Sequence, residues 1–264
     1  MYDLRLKQSL GQNFLKDKNV AKKIVKYIEV DKDSTIIEIG SGDGAITGLL
    51  LEKFKQVIAV EIDKRFVDII KKKYSSFPNF EILCEDFLKV DIRIFYDIYG
   101  KLSIVGNLPY HITSSVLFKM FENKRYINSV YLMIQREVSN RIVSPHKTKG
   151  RGILSVFSQY YCNVKSLFNV SKNVFYPVPK VDSSFIKFDF FERPKPEVKD
   201  EKLFISVVKL AFGKRRKYLR NSLKDMKIVD ISALREIFNF DRRPEELTVK
   251  EFVELTNLIY NRIS

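Results

Sequence analysis

The chain has 264 residues, 45% of them hydrophobic and 30% charged, with a formal net charge of +15. That length can bury a sizeable core in one or two domains, and that balance excludes a disordered chain. The excess positive charge points to a polyanionic partner, either nucleic acid or an anionic membrane surface.

No apolar run reaches the roughly eighteen residues of a membrane span, so no span is expected. Met1 to Leu10 lacks the apolar core of a secretory signal. The two cysteines, Cys84 and Cys162, have apolar or aromatic neighbours and no metal-ligand spacing, which reads as buried thiols in a reducing cytosol. With only His111 and His146 besides, no metal site is expected.

In chain order, Lys7 to Leu15 is a polar lead-in containing Gly11, and its Gln12, Asn13 and Phe14 read by themselves as loop. Asp17 is placed to cap a helix through Val20, Ile24, Val25 and Ile28, whose spacing is helical. Ser34 to Ile39 is a short β-branched run, hence a buried strand. It feeds into Gly40-Ser41-Gly42-Asp43-Gly44-Ala45 and then into a helix with Ile46, Leu49, Leu50 and Phe54 on one face. Strand, glycine loop and helix form a nucleotide-binding arrangement. The loop satisfies the dinucleotide GxGxxG/A pattern as well as the GxGxG, preceded by Glu38, of S-adenosylmethionine (SAM) methyltransferases. Asp43 would repel a pyrophosphate but not a cationic sulfonium.

A second strand, Gln56 to Val60, ends in Glu61-Ile62-Asp63, about twenty residues after the glycine loop, where an acid can accept both ribose hydroxyls. Asp63 is suited to cap the helix Lys64 to Tyr74, which leaves Glu61 as the ligand. A third strand, Phe80 to Cys84, ends in Glu85-Asp86-Phe87. Asp86 can accept from an adenine amine, and Phe87 or Ile62 can pack on the ring. The fourth strand, Leu102 to Val105, stops at Gly106-Asn107-Leu108-Pro109-Tyr110. Pro109 removes a backbone donor and holds Leu108 extended. Asn107 offers an acceptor and two donors, and Tyr110 a flat ring with a polar tip. Together they suit a planar substrate carrying an amine.

A helix from Ser114 to Phe121 and a fifth strand, Ser129 to Ile134, follow, then Gln135-Arg136-Glu137-Val138 opening a helix to Ile142. Ser144 to Arg151 is a basic loop whose Lys147, Lys149 and Arg151 are phosphate contacts if the partner is RNA. Val156 to Tyr161 is aromatic-rich helix or strand, and Val164 to Val170 and Ser184 to Phe190 read as the last strands. Between those strands, Pro177 and Pro179 stiffen a loop that carries Phe175 as a base-stacking aromatic and Lys180 as a phosphate contact. Arg193 to Glu197 reads as a linker. Beyond it come helices over Lys202–Phe212, Tyr218–Met226, Ile231–Phe238 and Val249–Ile259. This part carries Lys214, Arg215, Arg216, Lys217 and Arg220, five cations in seven residues without an acid, a candidate phosphate-binding stripe.

These motifs carry a resemblance. GQNFL at Gly11 to Leu15, the EIGxGxGxxT loop at Glu38 to Thr47, VEID at Val60 to Asp63, NLPY at Asn107 to Tyr110, QREV at Gln135 to Val138, FYPVPKVDS at Phe175 to Ser183 and RPEEL at Arg243 to Leu247 resemble the small-subunit ribosomal RNA adenine-N6,N6-dimethyltransferases, the KsgA group, over nearly the full length. The related large-subunit RNA methyltransferases share the first half and diverge after residue 200.

The resemblance implies an α/β Rossmann-like SAM-dependent methyltransferase fold, with a seven-stranded, mostly parallel sheet. Residues 1–192 would be the catalytic domain and 198–264 a small all-α RNA-binding domain. SAM would contact Gln12, Asn13, Leu15, Gly40, Gly42, Glu61, Ile62, Asp86, Phe87 and Asn107. Asn107, Leu108, Pro109, Tyr110 and Phe175 would handle the target adenine, sandwiched between Tyr110 and Phe175. Many relatives carry a proline and a hydrophobic residue where this chain has Ser41 and Asp43, which bears on cofactor affinity.

The expected activity is therefore dimethylation of two adjacent adenines near the 3′ end of small-subunit ribosomal RNA, linked to small-subunit biogenesis in the cytoplasm. The expected cofactor is SAM without metal. The partner would be the immature small subunit, with no membrane and a monomeric chain. An RNA-binding assembly factor with secondary methylation, or a large-subunit enzyme, are the alternatives. A dehydrogenase is disfavoured because no catalytic His/Asp or Lys/Tyr set accompanies the glycine loop. His111 adjoins the NLPY motif, but the transfer needs no base before the methyl moves.

Overall fold

The computed structural model describes residues 11–214, 217–226 and 234–263. It contains two compact units. The first comprises the residues up to Ser139 with Val164–Phe190, and the second Asn140–Asn163 with the residues from Phe191 onward.

The first unit is built on a seven-stranded sheet. Its strands are β2 (Thr35–Ile39), β3 (Gln56–Glu61), β4 (Phe80–Cys84), β5 (Leu102–Asn107), β6 (Ile127–Gln135), β7 (Cys162–Val170) and β9 (Ser183–Phe190), in the order β4-β3-β2-β5-β6-β9-β7. β4, β3, β2, β5 and β6 pair in parallel, and β9 runs antiparallel to β6. Strands buried on both faces need apolar residues without alternation, and β2 is buried at all five positions. The order reverses at β2, which has β3 on one side and β5 on the other, so the crevice at the carboxyl ends of β2 and β5 is where an open α/β sheet binds its ligand.

The helices follow from caps and spacing. Asp17 accepts from the Asn19 and Val20 amides at 2.8 and 3.1 Å and starts α1 (Lys18–Lys26), which buries Ala21, Ile24 and Val25. α2 spans Thr47–Lys53, and Asp63 caps α3 (Lys64–Lys73). α4 (Ile92–Tyr99) is a helix that the sequence reading does not contain. It buries Ile92 and Phe95 but leaves Ile94 and Ile98 exposed, so apolar residues surround it and hide the helical period. α5 is Thr113–Glu122 and α6 Arg136–Ile142.

A second, two-stranded sheet pairs β1 (Phe14–Leu15) with β8 (Phe175–Tyr176), setting Phe14 opposite Tyr176 and Leu15 opposite Phe175. It ties the lead-in to the proline loop, two stretches far apart in sequence.

In the second unit, α7 (Ile153–Tyr161) brings Phe157 and Tyr160 to Phe204 of α8 (Glu201–Gly213), with ring centroids 5.8 and 4.5 Å apart. A division at 193–197 puts residues 140–163 with the sheet, whereas here they cluster with the C-terminal helices, because the aromatic face of α7 finds its partners on α8. α9 (Leu219–Ser222) and α10 (Val249–Ile263) complete the unit. The described part of the helix expected over Ile231–Phe238, Leu234 to Phe238, is turn. Cys162 is buried as expected, but Cys84 is exposed, because β4 is the sheet edge. No helix among the described residues is long and apolar enough to cross a membrane, and no group of metal-ligating side chains is found among them.

Candidate active site

Parallel register lines up the strand tips. Ile39 stands beside Val60 and Gly106, Glu61 beside Cys84, and Asn107 beside Met133. The residues that follow each tip therefore converge on a cavity of about 270 Å³, lined among others by Gln12 to Leu15, Gly40 to Asp43, Glu61, Ile62, Asp86, Phe87, Asn107 to Tyr110 and Phe175. These include all of the cofactor and catalytic positions singled out in the sequence.

Gly40 (φ +70°) and Gly42 (φ +52°) occupy the left-handed region, which other residues enter only with strain. A Cβ on Gly42 would lie 2.9 Å from the Phe14 ring, so the lead-in packs directly on the loop. At Gly40 the nearest atom to such a Cβ is the Asn107 carbonyl at 3.9 Å, which leaves a bare backbone cradle facing the cavity.

Glu61 is 5% exposed and accepts from the Gly42 amide through Oε2 and from the Asp63 amide through Oε1, both at 2.9 Å. Burial raises its pKa against these two donors. Each carboxylate oxygen keeps a second lone pair for a ligand hydroxyl. Asp63 belongs to the scaffold. It caps α3, pairs with Arg65 at 2.6 Å and accepts from Gln12 at 3.3 Å, and the Arg65 bonds hold its pKa down at about 2. Asp86 caps a short turn through the Leu88 amide at 2.9 Å and is half-buried. Phe87 is buried, and Ile62 stands half exposed.

The Asn107 side-chain amide donates to the Asn13 carbonyl at 2.9 Å. With its NH₂ end held, the Asn107 carbonyl end is the acceptor available to the cavity. The Leu108 amide is used on Met133 O at 3.2 Å, and Pro109 brings no donor. Tyr110 is half-buried, its hydroxyl 3.0 Å from Ser183 Oγ and 3.5 Å from Val181 O. Burial raises its pKa, so it is a neutral phenol. Phe175 lines the cavity yet is 3% exposed, packed in the core with Leu15, Tyr131 and Phe185. His111 is exposed at the rim.

Three features lie outside the site residues expected from the sequence. Glu38, 1% exposed, lines the cavity, accepts from Thr47 Oγ1 at 2.7 Å, and is pushed up to about 8 by burial. Arg136 pairs with Asp182 at 3.1 Å, and its amide donates to the Asp182 carbonyl at 3.0 Å. This anchors the loop whose Ser183 holds Tyr110, so QREV, KVDS and NLPY form one connected support. Met133 and Phe185 complete the wall. The motif that opens with Glu38 was the available signal for it, and QREV and FYPVPKVDS were those for Arg136 and Asp182; nothing local marks Met133 and Phe185.

The candidate RNA contacts divide. Lys147, Lys149, Lys180, Lys214 and Lys217 are exposed. Arg151 is not a surface contact. It is 5% exposed and donates to Ser144 O at 3.1 Å and Gln159 Oε1 at 2.8 Å, fastening the basic loop from inside. Arg220 is half-buried and paired with Asp241. Arg215 and Arg216 lie outside the described residues.

The model of one family, described as ribosomal RNA adenine dimethylase, matches residues 3–261. The chain belongs to the ribosomal RNA adenine dimethylase family. It is 41% identical over 263 residues to the ribosomal RNA small subunit methyltransferase A of Clostridium acetobutylicum, covering 98% of this chain and 95% of that one. To its namesake in Alkaliphilus oremlandii it is 40% identical, covering 99% and 94%. Among solved structures, a dimethyladenosine transferase from Plasmodium falciparum superposes with a TM-score of 0.78 at 23% identity, covering 94% of this chain and 96% of that one. The 23S rRNA methyltransferase ErmE superposes with a TM-score of 0.66 at 25% identity, covering 91% and 99%.

As a member of that family, the chain has the SAM-dependent methyltransferase fold and is a methyltransferase. Its cavity fits a methyl-donor nucleoside on its own evidence. A bare glycine cradle faces it, and carboxylates stand at successive strand tips. Ser41 Oγ is buried beside it without a partner among the described residues.

Proposed function

We propose that this protein transfers methyl groups from SAM to the exocyclic N6 amines of two adjacent adenines, in a loop near the 3′ end of small-subunit ribosomal RNA. The observation that carries the reading is the held amide of Asn107, which aims an acceptor at the cavity beside Tyr110.

SAM supplies an electrophilic methyl group on a good leaving group. The chain's residues do the rest by positioning. Gly40 and Gly42 admit the cofactor close to the backbone, Glu61 takes the ribose hydroxyls and Asp86 the adenine amine, with Ile62 and Phe87 on the ring. The target amine is a weak nucleophile, because its lone pair is delocalised into the base. The Asn107 side-chain carbonyl and the Leu108 backbone carbonyl accept its two hydrogens, which favours a pyramidal nitrogen and aims the lone pair. Tyr110 and Phe175 hold the flipped base, and Pro109 keeps competing donors away. The proton leaves to water after transfer, so His111 has no required part.

RNA is engaged through Lys147, Lys149, Lys180, Lys214 and Lys217, with residues 198–264 as an RNA-binding part. The partner is the immature small subunit, met by a cytoplasmic monomer. Incubation with labelled SAM and small subunits from a methylation-deficient strain, followed by mass analysis of digested RNA, tests this. Dimethyladenine at two adjacent positions, lost in Asn107→Ala, supports it. Binding to the subunit without methyl transfer would instead leave an assembly factor.

A further inference from the structure

The cavity is lined by five carboxylates, Glu38, Asp43, Glu61, Glu85 and Asp86, and among the described residues by no lysine or arginine. This is the reverse of the chain's net charge of +15. Glu38 and Glu61 are almost fully buried, whereas Asp43 lines the cavity with its side chain exposed. The charges of Glu61 and Asp43 both act on Glu38 and oppose its ionisation. The hydrogen bonds given to these acids come from neutral donors: Thr47 Oγ1 to Glu38, and the Gly42 and Asp63 amides to Glu61. The nearest relief is Lys73, whose ammonium lies 3.4 Å from the Asp43 backbone carbonyl and eases ionisation of the Asp43 side chain. His111 and Tyr110 face the same space. Independently of charge, Ser41 lines the cavity, is 5% exposed, and has a hydroxyl without a partner among the described residues. A buried hydroxyl in that state is short of about one hydrogen bond that a ligand can supply. The cavity is therefore set for a ligand that brings positive charge and a polar group to the glycine loop.

We propose that Asp43, with Glu38 and Glu61, selects the cationic sulfonium cofactor over its neutral thioether product, and so drives product release between successive methyl transfers. The inference rests on the cofactor reading above. In the transfer the carbon–sulfur bond breaks and its electron pair stays on sulfur. The amine lone pair forms the new nitrogen–carbon bond, and an amine proton leaves to water. The cofactor loses one positive charge, while its ribose, adenine, ammonium and carboxylate contacts stay the same. Only groups that sense the sulfur charge can tell the two apart. Dimethylating two amines requires the spent molecule to be exchanged after every transfer, so a cavity that favours the charged form has a direct use.

Calorimetric titration of the full chain with SAM, S-adenosylhomocysteine and sinefungin, a cationic amine analogue, tests this. Two buffers of different ionisation enthalpy and pH values of 6.5, 7.5 and 8.5 would be used. We expect SAM and sinefungin to bind more tightly than S-adenosylhomocysteine. SAM binding should release protons near pH 7.5, since a nearby cation ionises Glu38, and its affinity should rise with pH while that of S-adenosylhomocysteine changes less. Asp43→Asn should weaken SAM by about three- to tenfold, the scale of one partly screened charge, and leave S-adenosylhomocysteine unchanged. Glu38→Gln should abolish the proton release. Equal losses for both ligands in Asp43→Asn, or equal wild-type affinities without proton release, would overturn the selector while leaving the cofactor reading intact. Failure of all three ligands to bind would overturn both.

Discussion

The side-chain amide of Asn107, at the tip of β5, donates to the backbone carbonyl of Asn13, 94 residues earlier, at 2.9 Å. One hydrogen bond thus decides which end of the amide the substrate meets. Asn107→Asp keeps the acceptor, loses the donor and places a carboxylate against the Asn13 carbonyl. We expect methyl transfer to fall by about a hundredfold or more while cofactor affinity changes far less, because orientation rather than binding is lost. Single-turnover rates beside calorimetry check this, and a variant that keeps the wild-type rate would refute it.

Tyr110 is held through Ser183, whose loop is anchored by the Arg136–Asp182 pair. Tyr110→Phe keeps the ring and loses the anchor, so it should retain more activity than Tyr110→Ala. Ser183→Ala should reproduce the Phe variant. Arg136→Met should raise the KM for RNA more than it alters SAM affinity, since it loosens the wall nearest the base. If Ser183→Ala behaves as wild type, the hydroxyl contact has no positioning role.

Glu38 gives a signed pH dependence. Its folded pKa is raised from 4.5 to about 8 by burial, so ionising it opposes folding. The stability attached to its neutral form is complete below about pH 4.5 and is lost as pH rises through about 8. Glu38→Gln, which can still accept from Thr47, should therefore gain stability over the wild type as pH rises, by about 3 kcal/mol at pH 7 as an order of magnitude. Urea midpoints of the cofactor-free chain at pH 5 and pH 7 decide the matter; a gap that stays constant would count against it.

Gly42→Ala combines a φ of +52° with a Cβ 2.9 Å from the Phe14 ring, and Phe14 itself packs against Phe66 at 5.0 Å. The strain and the displaced ring should cost about 2 kcal/mol and weaken SAM binding. Thermal unfolding with and without SAM would reveal it, and unchanged stability would mean that the ring moves freely.

Arg151 separates structure from RNA contact within one loop. Arg151→Met takes away the donor to the Gln159 Oε1, while the Ser144 carbonyl keeps the Gln159 Nε2 donor at 2.9 Å, and should cost about 1–3 kcal/mol. Lys147→Ala and Lys149→Ala should change stability by no more than about 0.5 kcal/mol but flatten the salt dependence of RNA binding. Equal stability losses in all three would erase the distinction.

Much of the site was readable in the chain, because its ligand-like residues sit at strand ends and strand ends announce themselves. Apolar β-branched runs stop at glycine, acid, amide or proline, and the parallel sheet then aligns those stops at one edge. Glu61, Asp86, Asn107 and Gly40 are visible for that reason. Arg151 misled because a cation in a polar loop carries no local mark of burial. Cys84 misled because apolar neighbours do not tell whether a strand lies at the sheet edge. α4 escaped because Ile94 and Ile98 stay exposed and blur its period.

The sequence by itself determined the class of fold, the strand tips that carry the chemistry and the cationic character of the chain, all of which follow from local pattern and composition. Only the tertiary structure decided which separated stretches meet. β1 pairs with β8, Asn13 orients Asn107, Arg136 and Asp182 support Tyr110, and five acids share a cavity inside a basic protein. Such contacts depend on register and through-space charge between residues dozens of positions apart, and no local propensity encodes them.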